Sequence, residues 1–225
     1  LRSGGIDMDL PLPYIVGCDL AGVVEAVGAE VDDLPLGTRV WGSNQGLLGR
    51  QGTFAELAAV DRRWLYRTPE NVSDEQAAAT ALVGITAHLR LAEPGALPPG
   101  QTVPVSGVSG AVGSTVIQMA KALGARVIAT TSSPEKAEAC RQLGAEATID
   151  YTAEDVSQRV RQILADGVDL WWETSRQPNF DAAFGSMARG GRMIVMAGRD
   201  ARPPFPVGPF YANCLSLHGF VMFLA

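Results

Sequence analysis

From Gln101 onward the chain alternates short apolar runs with longer segments whose apolar positions recur at helical spacing. Thr102 to Ser106 is a β-like run, and Val112, Val116, Met119, Ala120 and Leu123 then line one side of a helix that Gly124 stops. Arg126 to Thr131 is the next strand. A second helix follows it, with Ser133 as N-cap, Pro134 at its first position and Gly144 just past its end. Further strands are predicted at Ala147–Asp150, Val168–Trp172 and Arg192–Ala197, separated by the helical segments AEDVSQRVRQIL and NFDAAFGSMARG. Strands alternating with helices of this length predict a parallel sheet covered by helices on both faces. Pro104 lies inside the first of these strands, and its missing N–H predicts a local irregularity there.

The first 75 residues have another texture. Short β-like runs at Gly22–Val27, Thr38–Trp41 and Thr53–Val60 are broken by Gly, Pro and Asp, which predicts a compact β-rich unit. At Asn71 the pattern turns helical, NVSDEQAAATALVGITAHLRL, with Ser73 as its N-cap, and EPGALPPGQ then punctuates the chain. The last residues, LHGFVMFLA, read as a strand. Because the chain starts at Leu1 and stops on that apolar run, both ends are expected to be cut within a fold.

Composition narrows the function classes. A hydrophobic fraction of 47% and a mean hydropathy of +0.10 fit a globular protein. The net charge is -6 and the charges are scattered, so nothing favours a nucleic-acid partner. No apolar run reaches the ~18 residues of a membrane span, and LRSGGIDMDL lacks the charged start and apolar core of a signal peptide, so a cytoplasmic location is expected. Cys18, Cys140 and Cys214 form no CxxC pair, and with only His88 and His218 there is no ligand cluster at zinc spacing. No metal is expected.

The stretch SGVSGAVG places Gly107, Gly110 and Gly113 between the first strand of the alternating series and a helix. Glycines there let a backbone turn sharply, approach a pyrophosphate and pack the helix on the strand, while the helix N-terminus attracts anions. The spacing is G-x-x-G-x-x-G rather than G-x-G-x-x-G, and a P-loop is excluded because neither Lys121 nor Lys136 follows a glycine. About 20 residues on, where an NAD-binding chain places a carboxylate, stand Thr130, Thr131, Ser132 and Ser133. Lys136 follows in the first turn of the next helix, where its charge opposes the helix dipole. A bound 2′-phosphate reverses that penalty, which favours NADP over NAD although Glu135 is adjacent; a solvated surface lysine is the plain alternative.

On these and other segments the chain resembles the medium-chain dehydrogenase/reductases, in their zinc-independent quinone oxidoreductase, or zeta-crystallin-like, branch. The segments are LPYIVGCDLAGVVEAVG, GTFAELAAV, ALVGITAHLRL and SGVSGAVGSTVIQMAKALGARVIATTSSPEKAE, in this order. The resemblance implies a partial GroES-like catalytic domain over residues 1–75. Over 76–225 it implies a Rossmann-type doubly wound sheet that binds NADPH. Gly107, Ser109, Gly110, Val112 and Gly113 are then expected around the pyrophosphate, Ser132 and Lys136 at the 2′-phosphate, and Tyr151 near the adenosine ribose. Thr86, Gly198 and Phe220 are expected to border the nicotinamide. Each has a plain alternative: a helix hydroxyl bonded to its own turn for Thr86, a strand-end aromatic for Tyr151, a turn residue for Gly198.

The implied chemistry is hydride transfer from NADPH to a quinone or an α,β-unsaturated carbonyl compound. Zinc-dependent members carry Gly-His-Glu where this chain has Gly17-Cys18-Asp19, so zinc is not expected and Cys18 reads as a small buried residue. Some relatives place a tyrosine just after the match to Arg2-Ser3-Gly4; here Ile6 stands there, and no phenolic proton donor is visible. Polyketide-synthase enoyl reductases and non-catalytic NADPH-binding crystallins are alternative readings. A short-chain dehydrogenase is excluded, because none of Tyr14, Tyr66, Tyr151 and Tyr211 has a lysine four residues on. Relatives pair through the last sheet strand, which implies a homodimer along SLHGFVMF.

Overall fold

The computed structural model describes residues 12–92, 97–108 and 110–222. Ser109, and the N-terminal positions Arg2, Ser3, Gly4 and Ile6, lie outside the described residues. The chain divides into two compact units between Ile85 and Thr86.

The first unit holds a three-stranded antiparallel sheet, β1 (Leu20–Val23), β2 (Arg39–Gly42) and β3 (Leu65–Arg67), in that order. β1 begins two residues before the expected run, and its ladder with β2 continues one step past the strand, where Val24 N–H donates to Thr38 O at 3.0 Å. Val24, Leu34 and Val40 form a small core under Val31 and Leu65. The strand expected at Thr53–Val60 does not form. The N–H groups of Gly52 and Phe54 donate to Ile15 O and Val16 O, but no strand among the described residues pairs with the segment after Phe54, and Phe54 and Leu57 face solvent. Alternation alone cannot hold a strand that has no ladder partner.

Helix α1 (Asp74–Leu91) starts where the sequence placed it. Ser73 Oγ accepts from Gln76 N–H at 3.2 Å while Gln76 Oε1 accepts from Ser73 N–H at 3.0 Å, a reciprocal capping box.

The second unit is a six-stranded parallel sheet of β4 (Thr102–Ser106), β5 (Arg126–Thr131), β6 (Ala147–Asp150), β7 (Val168–Glu173), β8 (Met187–Val195) and β9 (Ser216–Gly219). Its spatial order is β6-β5-β4-β7-β8-β9, the doubly wound arrangement whose order reverses beside β4. Side chains alternate between its faces. Val103, Val105, Val127, Ala129, Leu170, Trp172 and Ile194 pack with α2 (Ala111–Ala122), while Ile128, Ile149, Trp171 and Met193 pack with α4 (Val156–Ile163) and α5 (Phe180–Ser186). Cys140 of α3 (Pro134–Leu143) joins the first core. Ser133, Pro134 and Gly144, whose φ is +115°, occupy the cap and end positions of α3 that the sequence assigned them.

The irregularity expected at Pro104 lies on one side only. β4 and β5 pair without interruption across Pro104 and Ile128, but the pairing with β7 comprises only Val105 and Ser106. Odd-numbered residues of β4 bond toward β5 and even-numbered ones toward β7, so the absent N–H of Pro104 falls on the β7 side. The segment NFDAAFGSMARG departs from expectation: helix stops at Ser186, and Met187 already pairs with Val168. The next pair is Leu170 with Arg192, so residues 188–191 bulge out of β8, aided by Gly190 at φ +78°. Val168 and Leu170, on either side of this shift, belong to different cores. A last short helix, α6 (Val207–Ala212), precedes β9.

Candidate functional site

Ligands of doubly wound sheets bind outside the carboxyl ends of the strands where the order reverses. In this chain that point is the turn after β4. Gly107 has φ +75°, and a Cβ there would come within 2.5 Å of Thr174 Oγ1 and 2.7 Å of Ser175 N. Gly113 is helical, and a Cβ on it would lie 2.8 Å from both Gly107 O and Val108 Cα. These two glycines are therefore required by the protein's own packing. Gly110 differs, because its Cβ would meet only Gly107 O at an ordinary 3.5 Å. Gly110 is also the N-cap of α2 and supplies no side-chain acceptor to the first turn, where Ala111 is exposed, Val112 half-buried and Gly113 buried; an external anion can meet the N–H groups at the exposed end of that turn. A cradle whose middle residue has room for a side chain and lacks one fits a pyrophosphate.

At the end of β5 the structure brings Ser132 and Lys136 together, with Lys136 Nζ donating to Ser132 Oγ at 2.9 Å. Ser133 Oγ accepts from Lys136 N–H as the helix cap, at 3.4 Å. Thr130 and Thr131 are buried, so the hydroxyl cluster read from the sequence narrows to Ser132 at the surface. Glu135 shares this turn, and its hydrogen bonds with the Ser133 hydroxyl and its own backbone hold its carboxyl below the usual range. The Lys136 ammonium thus stands against a hydroxyl in the first turn of α3, with a carboxylate on the preceding residue.

A cleft of about 690 Å³ opens at the carboxyl ends of β4 to β7. Gly107, Thr130 and Tyr151 line it together with Glu173, Arg176 and Asp155. Tyr151 is 55% exposed and its N–H donates to Thr131 O at 3.1 Å, so its ring stands free at the mouth. Asp155 caps α4 through Gln158 N–H, and this bond, with that of the Ser157 hydroxyl, keeps its carboxyl below the ordinary value. Sequence reasoning missed Glu173, the carboxylate that ends the run VDLWWE, and that position was its only signal.

Of the expected site residues, Gly107 and Tyr151 line this cleft; Gly110, Val112, Gly113, Ser132, Lys136, Thr86, Gly198 and Phe220 are not among its lining. Thr86 is buried in α1. Gly198 has φ +78°, and a Cβ on it would lie 2.7 Å from Arg176 O, so it seats the loop after β7. Phe220 follows β9 and packs against the core of β4 and α2, with the Arg90 guanidinium 5.0 Å from its ring centroid.

In the first unit, Cys18 Sγ lies 3.6 Å from Ser43 Oγ, which donates to Asp19 Oδ1 at 2.6 Å. Burial pushes the Asp19 carboxyl above its ordinary value, against the lowering effect of the Ser43 bond. Among the described residues no three His, Cys, Asp or Glu side chains gather as a metal site, and no helix is long and apolar enough to cross a membrane.

The sequence profile of the zinc-binding dehydrogenases matches residues 111–224, and that of the alcohol dehydrogenase GroES-like domain matches residues 1–70. A quinone oxidoreductase of Pseudomonas aeruginosa is 42% identical over 156 residues, covering 69% of this chain and 46% of the relative. An NADPH-dependent alkenal/one oxidoreductase of Arabidopsis thaliana is 36% identical over 202 residues, covering 88% of this chain and 50% of the relative. The structure of a Pseudomonas syringae quinone oxidoreductase superposes with a TM-score of 0.86 at 32% identity, over 99% of this chain and 68% of that one. The chain spans about half the length of the curated relatives it matches. With its GroES-like first unit and Rossmann-type second unit, the chain belongs to the zinc-binding dehydrogenase family, in the quinone oxidoreductase branch of the medium-chain dehydrogenase/reductases.

Proposed function

We propose that this chain is part of an NADPH-dependent oxidoreductase that reduces quinones or α,β-unsaturated carbonyl compounds without zinc. The observation that carries the cofactor choice is the Lys136–Ser132 pair, set one strand beyond a glycine turn. NADPH, when bound, supplies a hydride from the nicotinamide C4. The chain's own residues bind and orient. Val112 and Gly113 N–H groups at the start of α2 meet the pyrophosphate, and Gly110 leaves room for it. Ser132 and Lys136 hold the 2′-phosphate, and Tyr151 covers the adenosine end. Thr86, Gly198 and Phe220 are assigned to the nicotinamide end by resemblance alone, as is Ser109 to the pyrophosphate turn.

The reductase names of the relatives from Pseudomonas aeruginosa and Arabidopsis thaliana support the substrate class. The zinc-free reading is supported by the partners of Cys18, which are a serine hydroxyl and, beyond it, a carboxylate rather than further soft ligands. Three free cysteines suit a reducing compartment such as the cytoplasm, and β9, which among the described residues pairs only with β8, offers a second copy a strand edge. The test is a fluorescence titration of the chain with NADPH and with NADH. NADPH is expected to bind at least about tenfold tighter. Equal affinity for the two overturns the 2′-phosphate reading, and binding of neither overturns the cofactor reading.

A further inference from the structure

Glu173 ends β7 with 1% of its surface exposed, opposite Ser106 in the sheet register. Its two hydrogen bonds both come from neutral donors. Oε1 accepts from Ser175 N–H at 2.8 Å, and Oε2 accepts from the Trp171 indole N–H at 3.4 Å. A buried carboxylate served only by neutral groups is costly compared with an apolar side chain. What it secures is the turn immediately after it.

Thr174 sits between the carboxylate and the glycine turn. Its Oγ1 donates to Ser106 O at 2.7 Å and lies 3.1 Å from Gly107 O, while its N–H donates to Ser106 O at 3.1 Å. Ser175 N, the atom bonded to Glu173, stands 2.7 Å from the position a Gly107 Cβ would take. Gly107 O in turn accepts from Gly110 N–H at 3.1 Å and limits the space beside Gly113. A continuous set of contacts therefore runs from the buried carboxylate through residues 174 and 175 to the loop at the head of α2.

We propose that Glu173 is a positioning residue for the dinucleotide: by latching Ser175 it fixes the Gly107 turn, and so the height at which the pyrophosphate meets the first turn of α2. The inference rests on the cofactor reading given above and adds to it a residue that touches no part of the ligand's 2′-phosphate site. Two donors need an acceptor-only partner, and a carboxylate provides it. Glutamine satisfies one donor and presents its amide NH₂ to the other, so Glu173→Gln removes part of the latch and Glu173→Ala all of it.

The experiment is a fluorescence titration of the whole chain and of E173Q, E173A, T174V and E173A/T174V with NADPH and, separately, NADH. E173A and T174V are expected to weaken both nucleotides by about tenfold, and E173Q by about threefold. The ratio of NADPH to NADH affinity stays at the parent value, which separates this effect from damage near Lys136. The double variant is expected to be no more than about twofold weaker than the worse single one, since both changes release the same turn. A shifted ratio, fully multiplicative losses, or folded variants that bind within twofold of the parent would each overturn the inference. If circular dichroism shows E173A unfolded, E173Q and T174V carry the same comparison. A parent that binds neither nucleotide overturns the cofactor reading itself, whereas a binding parent with unaffected variants overturns only the role of Glu173.

Discussion

Replacing Lys136 by alanine tests the cofactor choice most directly. Lys136 Nζ lies 2.9 Å from Ser132 Oγ, so a phosphate bonded to that hydroxyl sits about 4 Å from the ammonium. One charge pair at that distance is worth about 1 kcal/mol in water and about 4 kcal/mol at an effective dielectric constant of 20. Lys136 is exposed, so the lower value governs, and a dianionic phosphate doubles it to about 2 kcal/mol. Glu135 repels the phosphate in parent and variant alike and cancels from the comparison. K136A is therefore expected to weaken NADPH about 30-fold and NADH less than about twofold, measured by fluorescence titration at low salt. The pH dependence gives a second check. Below the second ionisation of a phosphate monoester, near about pH 6, the ligand loses one negative charge and the parent's preference for NADPH falls. K136A has lost the ammonium that responds most to that change, and its preference varies less with pH. Equal losses for the two nucleotides, or the same pH profile in parent and variant, would refute the assignment.

The two packed glycines and the open one separate in the same way. Gly113→Val is expected to lower stability by about 1–3 kcal/mol, because its Cβ alone reaches Gly107 O at 2.8 Å. Gly110→Val leaves the melting temperature within about 3 °C of the parent and weakens NADPH at least about tenfold; thermal melts and titration distinguish the two outcomes. Thiol labelling is expected to find Cys214 fast and Cys140 protected until unfolding, since Cys214 is exposed while burial closes off Cys140 and pushes its thiol up. Asp19→Asn is expected to steepen the acid limb of the stability curve, because Asp19 opposes the rise that the depressed carboxylates produce. Burial raises the folded carboxyl above its ordinary 3.8, so the parent's neutral Asp19 contributes below that value and the contribution is lost as pH rises through the folded one. Urea melts between pH 3 and 7 that show identical slopes in parent and variant would refute that account.

The helix ends were legible because their signals are local. Ser73 with Gln76, Ser133 with Pro134, and Gly144 are caps whose partners lie within a few residues, and each stands where the pattern put it. The failures came from partners that the pattern does not name. Thr53–Val60 has strand composition, but a ladder needs a neighbour, and past Phe54 the described residues offer none. MARG was read as the tail of a helix because nothing local distinguishes it; Val168 and Asn213 determine its state, the one by pairing with Met187 and the other by taking the Gly190 N–H at 2.8 Å.

The three glycines of SGVSGAVG are alike on paper and different in space. Gly107 is held by its positive φ and by the turn after β7, some 67 residues away, and Gly113 by the carbonyl of Gly107. Either could be explained without any ligand. Gly110 has no such reason in the protein, since its Cβ would touch one atom at an ordinary distance. Its missing side chain matters to something that approaches from outside, and a helix N-terminus whose cap offers no side-chain acceptor suits an anion there. Spacing could show that a cradle was possible; the space in front of Gly110 is what favours a bound phosphate over a merely tight turn. The same comparison explains why Glu173 escaped the sequence reading. Its partners Ser175 and Trp171 are two residues away in the chain, but the object they support is Gly107, reached only across the sheet.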